Sequence, residues 1–439
     1  MKIPSQTDVL ILGGGPTGST AGMVLAREGI SSIVIESDHH PRFHVGESLL
    51  PHSLPVFERL GIHETIRDLS HTLVKPGATF CSHDGTEQST FWFDESASPV
   101  IPYAYNVRRD EFDAALLRTA EGRGAEVREG WKAVAPEWEG TRLAGIRVRA
   151  EDGSEGTIRA KCVLDATGQH AFLATRMGWK TVYPDHRKLA IVGHFDGVLR
   201  APGRAAGNIV IIVTHSGWFW LIPFATGTTS VGVVLDAARY EGIAGGVDAQ
   251  FDAAIAATPE AARQLAGARR TFPAAAVQNF SFKVSRNHGD GFAIVGDAAG
   301  FLDPIFSSGI MMGMNAAERA ALDIAAAIRT KGRVDAVDTA PCAALSRLMQ
   351  KRFFTMIRAY YDPHFIAVFL LPETETQHPG RRFGIRKSVI SVLGGDVTGR
   401  GSWRKFSRFR MLQGLGQVQR VTRRLGGQLV RPLEHVPGA

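Results

Sequence analysis

Cysteine is scarce in this chain. Cys81, Cys162 and Cys342 are the only three in 439 residues. Their spacing offers neither a metal-ligand cluster nor a disulfide framework, so no metal is expected and a reducing compartment is. Long apolar runs are missing as well: nothing approaches the ~18 residues of a membrane-spanning helix, and no membrane span is expected. The opening MKIPSQTDVLILGGGP runs directly into a strand and a glycine turn, without the layout of a signal peptide. The cytoplasm is therefore the expected location. Basic residues are sparse except at one end. From Arg381 onward there are 13 Lys or Arg against 2 Asp or Glu, whereas the rest of the chain holds 37 against 41. The net charge of +7 thus belongs to the C-terminal segment. Such a surface suits an acidic protein, anionic lipid or nucleic acid. No nucleic-acid recognition motif accompanies it, and nucleic acid is not an expected partner.

What is present is a regular alternation of strand and helix signals, in a chain long enough for two closely packed domains. TDVLIL (7–12) reads as a buried strand, GGGPTGSTAGMVLAREG as a glycine turn and helix, and ISSIVIES as a second strand ending at Glu36. This is a βαβ opening. HVGESLLPHSLPVFERLG reads as a turn and a helix interrupted by Pro55, and 107–120 as a helix. Stretches around 77–105 and 187–236 are rich in Val, Ile, Phe, Tyr and Trp between glycine turns, which predicts a largely β second domain. Residues 249–269 read as helical and 311–331 as a long helix. Helices dominate beyond 339, with a break near PETETQHPG at 372–380. On the expected last helix, Arg404, Lys405, Arg408 and Arg410 are spaced to form a positive patch.

Gly13, Gly15 and Gly18 form G-x-G-x-x-G directly after an apolar strand, with Glu36 eighteen residues after the last glycine. The glycines permit a tight turn and close approach to a pyrophosphate at a helix N-terminus, and Glu36 can accept from a ribose hydroxyl. Arg109 stands at a helix start, within reach of a phosphate or a flavin, and Asp297 in GDAAG can hold a further part of a dinucleotide. The βαβ fingerprint, the ATG of 166–168 and GDAAG together resemble the FAD-binding fold of flavoprotein monooxygenases over about residues 7–330. The resemblance implies an α/β fold: an FAD-binding Rossmann-like domain (1–72, 108–180 and 275–335), an interleaved mainly β substrate domain (73–107 and 181–274) and a basic helical C-terminal region (336–439). There is no second glycine fingerprint for NAD(P)H, although some relatives of this fold bind NAD(P)H without one; a separate flavin reductase as the source of reduced FAD is what the narrower resemblance below implies.

A second resemblance is narrower. Trp218, Trp220, Ile222 and Pro223 fit the W-x-W-x-I-P signature of FAD-dependent halogenases, and Phe301, Pro304, Ser307 and Gly309 fit F-x-x-P-x-x-S-x-G. HVGESLLP (44–51), Lys75 in VKPGATF, and the C-terminal YYDPHFIAVFLLP and SVISVLGGDV look like family features, the last two like members that act on phenols or pyrroles, often tethered to a carrier protein. The likeness implies that reduced FAD and oxygen convert chloride or bromide to hypohalous acid, with the protein positioning the halide and separating the substrate. Lys75 would transfer the halogen, either as an ammonium polarising hypohalous acid or as an amine forming a haloamine; both need a dry pocket and a lowered pKa. Trp218, Trp220 and Phe306 would separate flavin from substrate. Positions 218 and 220 share one strand face, so core packing is the plain alternative, and one role does not exclude the other. Backbone N–H groups around Ser308 and Gly309 would bind halide, which needs donors without a competing carboxylate; a turn capping the helix is the structural role beside it. Glu47, Ser48, Gly309 and Ile310 join Gly13, Gly15, Gly18, Glu36, Arg109 and Asp297 as cofactor-binding candidates. The chain departs from tryptophan halogenases, which carry a glutamate where Phe306 stands, so free tryptophan is a poor substrate expectation and no base is assigned. His44, His83 and His215 are scattered and given no role. An acidic acyl or peptidyl carrier protein suits the basic segment. Two other readings stand: a flavin monooxygenase or oxidoreductase acting on an aromatic or lipid-like substrate without halide chemistry, and a carrier-binding flavoprotein without turnover.

Overall fold

In the computed structural model, the described residues are 3–97, 102–184, 186–214, 217–236, 245–278, 280–370 and 384–424. The strand Gln6–Leu12 lies at the centre of the first sheet, parallel to Ser32–Glu36 on one side and to Glu155–Asp165 on the other. Glu126–Glu129 and Phe292–Ile294 extend the parallel set outward. Val9 and Ile11 enter one hydrophobic core while Leu10 and Leu12 enter another. Burial on both faces is why this strand reads as a continuous apolar run rather than an alternation.

The second sheet orders its long strands as Lys188–Asp196, Thr229–Asp236, Gly217–Pro223, Ile209–Thr214, Gly77–Cys81 and Gln88–Trp92. Pairing is antiparallel except between Ile209–Thr214 and Gly77–Cys81. All seven residues of GWFWLIP are buried. Trp218, Trp220 and Ile222 face the core shared with the nucleotide domain, whereas Phe219 and Leu221 face a smaller core closed by Phe251 and Leu265. The strand sits between two apolar layers, and its period-two alternation sends the two indoles together to one of them. Their ring centroids are 5.6 Å apart. Trp220 lies flat on its cross-strand partner Gly232, where an added Cβ would stand 2.0 Å from the indole.

Several local expectations are corrected. Pro55 does not interrupt a helix; it opens one, Leu54–Leu60, after a short 3-10 turn. A proline is harmless in a first turn because its missing N–H has no partner there anyway. The Ala-rich segment 249–269 is two helices, Gly246–Ala256 and Pro259–Gln264, followed by a short strand, because Pro259 starts a new helix and Gly267 turns at positive φ. The helices expected at 107–120 and 311–331 run Arg109–Gly122 and Gly309–Lys331. Ala336–Tyr360, Pro363–Phe369, Ile385–Leu393 and Ser402–Arg424 form the helical C-terminal region. The break placed at 372–380 lies outside the described residues, as do His215 and much of the basic tail. Of the four basic residues expected to form a positive patch on the last helix, one is withdrawn from it. Lys405 turns inward to an ion pair with Asp396, while Arg404, Arg408 and Arg410 stay exposed, Arg408 also donating to Ser388 at 3.3 Å. Among the described residues no helix is long and apolar enough to cross a membrane.

The contact at Gly232 has a measurable consequence. Gly232→Ala drives a methyl group into the Trp220 ring and is expected to cost about 1–3 kcal/mol. Urea unfolding reads the loss, and a changed near-UV circular dichroism spectrum reads the displaced indole.

Candidate active site

The nucleotide turn is shaped by what its glycines leave open. Gly13 has φ +99, and a Cβ there would stand 2.5 Å from the carbonyl oxygen of Ala166, so the ATG segment packs directly on the turn. At Gly18 a Cβ would meet the Gly13 oxygen at 1.9 Å. Gly15 differs: nothing lies within 4 Å of its Cβ position, at the N-cap of the helix Pro16–Arg27. That space, faced by the unpaired N–H groups of a helix start, fits a pyrophosphate. The first turn contains no acidic residue to oppose one. Thr17 then joins three segments, since Cβ atoms at Gly296 and Gly313 would both press on its hydroxyl. GDAAG and the helix Gly309–Lys331 are thereby held against the turn.

Glu36 closes the second strand, but the structure gives it more protein partners than expected. Its carboxylate accepts from the Gly14 N–H at 2.7 Å, from Ser37 Oγ at 3.1 Å and from the Asp38 N–H at 3.0 Å. A carboxylate has about four acceptor sites, so a ribose hydroxyl would share it rather than own it. Arg109 is likewise committed within the protein. It pairs bidentately with Asp113 at 2.7 and 2.8 Å and donates to the Val45 carbonyl at 2.7 Å. Its charge reaches Asp297 and Glu47, and burial lifts the Asp297 carboxyl to about 6 against the pull of Arg109.

The segment 44–51 is held in an extended path by Tyr105 and Val107. Leu49 N–H donates to the Tyr105 carbonyl, Val107 N–H donates to the Glu47 carbonyl, both at 2.8 Å, and Ser48 bridges Asn106. The buried Ser48 hydroxyl has no partner among the described residues, a cost of about 1–3 kcal/mol that a bound polar group would relieve. Together with the open cradle at Gly15, this orphan makes the residues present a fit for FAD. Glu47 is buried against His194, whose Nε2 lies 3.1 and 3.2 Å from its two oxygens. His194 escaped sequence reading. Its signal was a lone polar residue in the apolar run LAIVGHF, 189–195.

Lys75 ends the strand Leu73–Lys75, which pairs with Ala104–Asn106. Only 1% of it is exposed. Its ammonium donates to the Leu49 carbonyl at 2.9 Å and lies 5.4 Å from the Phe93 ring centroid. Burial alone brings its pKa down from 10.5 to about 7. Asn106 completes the joint, its amide donating to the carbonyls of Gly207 at 3.0 Å and Pro223 at 3.2 Å. The lysine strand, the GESLLP segment and the end of GWFWLIP are thus stitched together through one buried asparagine.

The second signature leads into the long helix. Ser307 holds φ +53, and Ser308 occupies the N-cap position without a side-chain cap bond, so the expected serine cap is absent. A Cβ on Gly309 would lie 3.3 Å from Asp297 Oδ1. The carboxylate-free surroundings expected around Ser308 and Gly309 are therefore not what the structure provides, and the raised Asp297 pKa limits the conflict. Ile310 is half-buried beside them. Phe306 packs edge-on to Tyr360 at 6.0 Å. Trp218 Nε1 donates to the Tyr361 hydroxyl at 3.1 Å, and Tyr361 donates to Asp303 Oδ2 at 2.6 Å. Asp303 lies inside the signature itself, and its link to Tyr361 across 58 residues had no sequence-level signal.

This fold, cradle and turn define an FAD-binding flavoprotein, and a family model described as FAD binding domain matches residues 6–350. The flavin-dependent halogenase armH3 of Armillaria mellea is 34% identical over 352 residues, covering 75% of this chain and 69% of that protein. A 1H-pyrrole-2-carbonyl peptidyl-carrier-protein chlorinase of Pseudomonas fluorescens is 30% identical over 413 residues, covering 89% of each. The structure of flavin-dependent brominase Bmp2 superposes with a TM-score of 0.83 at 26% identity, covering 95% of this chain and all of that one. The chain belongs to the flavin-dependent halogenases, and its cofactor is FAD.

Two measurements test the site. Gly15→Ala, at an extended residue with open space, is expected to change stability by less than about 0.5 kcal/mol while raising the Kd for FAD at least about tenfold. Gly18→Ala is expected to destabilise the fold itself by about 1–3 kcal/mol; thermal melts and fluorescence titration with FAD separate the two. Lys75 makes stability depend on pH. Between about 7 and 10.5 the unfolded chain holds this proton and the folded chain does not, so stability rises across that window and levels off above it. The advantage of Lys75→Met over the native chain is therefore greatest below pH 7 and shrinks by up to about 1.4 kcal/mol per pH unit, as urea unfolding at several pH values would show.

Proposed function

We propose that this enzyme halogenates an electron-rich aromatic ring, a phenol or a pyrrole, and that Lys75 carries the halogen to it. The supporting observation is the buried amine, which has a carbonyl and an aromatic ring as neighbours and a pKa brought down to about 7 by desolvation. FAD, when bound and reduced, would supply the oxygen activation by which chloride or bromide becomes hypohalous acid. The protein's residues govern where halide, halogen and ring meet. The N–H groups at the start of the helix Gly309–Lys331, at Ser308 and Gly309, receive halide beside Asp297. Gly13, Gly15, Gly18, Glu36, Glu47, Ser48, Asp297 and Ile310 line the cofactor site, with Arg109 holding the 44–51 segment in place. Trp218, Trp220 and Phe306 wall off the organic substrate. Above pH 7 Lys75 has a free lone pair, which favours the haloamine route over an ammonium hydrogen bond. A separate reductase supplies reduced FAD. An acidic carrier protein presents the ring, a reading supported by the chlorinase relative, whose name specifies a pyrrole on a peptidyl carrier protein; the exposed Arg404 and Arg410 favour its approach.

The test is mass spectrometry of the enzyme with anaerobically reduced FAD, mixed with oxygen, chloride or bromide, and a panel of free and carrier-bound phenols and pyrroles. A product with the halogen isotope pattern is expected, lost in Lys75→Ala, with a rate that rises as pH passes through 7. A hydroxylated product indifferent to halide would replace this reading with a monooxygenase.

A further inference from the structure

Electrophilic halogenation replaces a ring proton, and a phenol reacts faster once its hydroxyl proton has gone. Phe306 stands where tryptophan halogenases carry a glutamate, so that position offers no base. The ring proton leaves late, as the halogenated ring regains its aromaticity, to the Lys75 amine that has released the halogen; the phenol's hydroxyl proton needs an acceptor elsewhere. Resting on the phenolic reading above, we propose that Tyr361 and Asp303 form this acceptor. Asp303 is 3% exposed and sits three residues before Phe306. One of its oxygens accepts from the Ile305 N–H at 3.0 Å, which fixes the carboxylate's plane, and the other accepts the Tyr361 hydroxyl at 2.6 Å. Tyr361 in turn receives the Trp218 indole N–H, so its oxygen stands at the wall assigned to substrate. The Tyr361 hydroxyl both donates and accepts; it donates to Asp303 and accepts from Trp218, and the proposal places the substrate hydroxyl against the same oxygen.

The groups around the pair suit proton passage. The Lys188 ammonium lies 4.6 Å from the Tyr361 ring centroid and is itself paired with Asp236 at 2.5 Å. The His186 ring meets the Tyr361 ring edge-on at 5.0 Å, with Nε2 3.3 Å from Asp303 Oδ2, and Tyr360 meets it at 5.6 Å. In the step, the substrate O–H bond breaks and its proton joins Tyr361 Oη, while the Tyr361 proton passes to Asp303 Oδ2. The products are a phenolate, an intact tyrosine and a protonated Asp303, and no electron changes hands. Tyr361 is the catalytic residue that touches substrate, and Asp303 acts through it.

The experiment compares an alkylphenol, neutral at the assay pH, with a nitrophenol already ionised there, each as a ratio of variant to native kcat/KM. Tyr361→Phe and Asp303→Asn are expected to lose roughly 100-fold on the alkylphenol and less than about threefold on the nitrophenol, because general-base assistance is needed only by the first. Trp220→Phe, which disturbs the wall but whose indole bonds to Ser230 rather than to Tyr361, is expected to affect both phenols alike. Equal losses on both phenols for Tyr361→Phe and Asp303→Asn would overturn the proposal and leave Tyr361 as a support for Trp218; so would no loss on either. Melting temperature and FAD titration identify a folding defect, and the two-substrate ratio in the milder Tyr361→Phe then decides. If the native enzyme halogenates neither phenol, the phenolic reading fails and takes the proposal with it, an outcome told apart by the inactive native control.

Discussion

A lysine amine kept dry is the constraint around which the centre of this molecule is arranged. An ammonium buried away from water is unfavourable unless it is paired or sheds its proton, and Lys75 has the Leu49 carbonyl and the Phe93 ring beside it. That environment requires the short pair Leu73–Lys75 and Ala104–Asn106 to be sealed from both sides. The 44–51 segment seals one side by running extended along Tyr105 to Val107, and Asn106 ties the other to Gly207 and Pro223. The 44–51 segment, the lysine strand and the end of GWFWLIP are thus one packing unit around the amine.

The tryptophan strand shows that structural and functional accounts of a residue need not compete. Trp218 and Trp220 fill a core and rest on Gly232 and Tyr361, so their rings are fixed by packing and by a hydrogen bond rather than by a ligand. A wall between two reactive compartments needs that rigidity: a ring free to rotate would pass both water and substrate. Phe219, on the opposite face, packs into the smaller core.

Basic charge behaves differently. The surplus beyond Arg381 is a property of composition, but where it points is decided by partners. Lys405 is consumed by Asp396, while Arg404, Arg408 and Arg410 keep their charge at the surface. A charge count along a helix overstates the surface field whenever neighbouring helices carry acceptors of their own.

The range of each interaction decides how much of it is legible in the sequence. The glycine turn, the βαβ opening, Lys75, the tryptophan pair and the helix beginning at Gly309 were legible because each depends on neighbours a few residues away: a turn needs its glycines, a strand its alternation, a helix its start. The resemblance to halogenases rested on these same short strings. Other features were decided only by the fold. Arg109 meets Val45 across 64 residues, Glu47 meets His194 across 147, and Trp218 meets Tyr361 across 143. No local pattern announces such pairs, because either partner alone is an ordinary polar residue that water would satisfy. Sequence determined the cofactor turn and the place of the Lys75 amine in the chain. Tertiary structure, by removing water, determined the proton affinity of that amine and which distant groups became its neighbours.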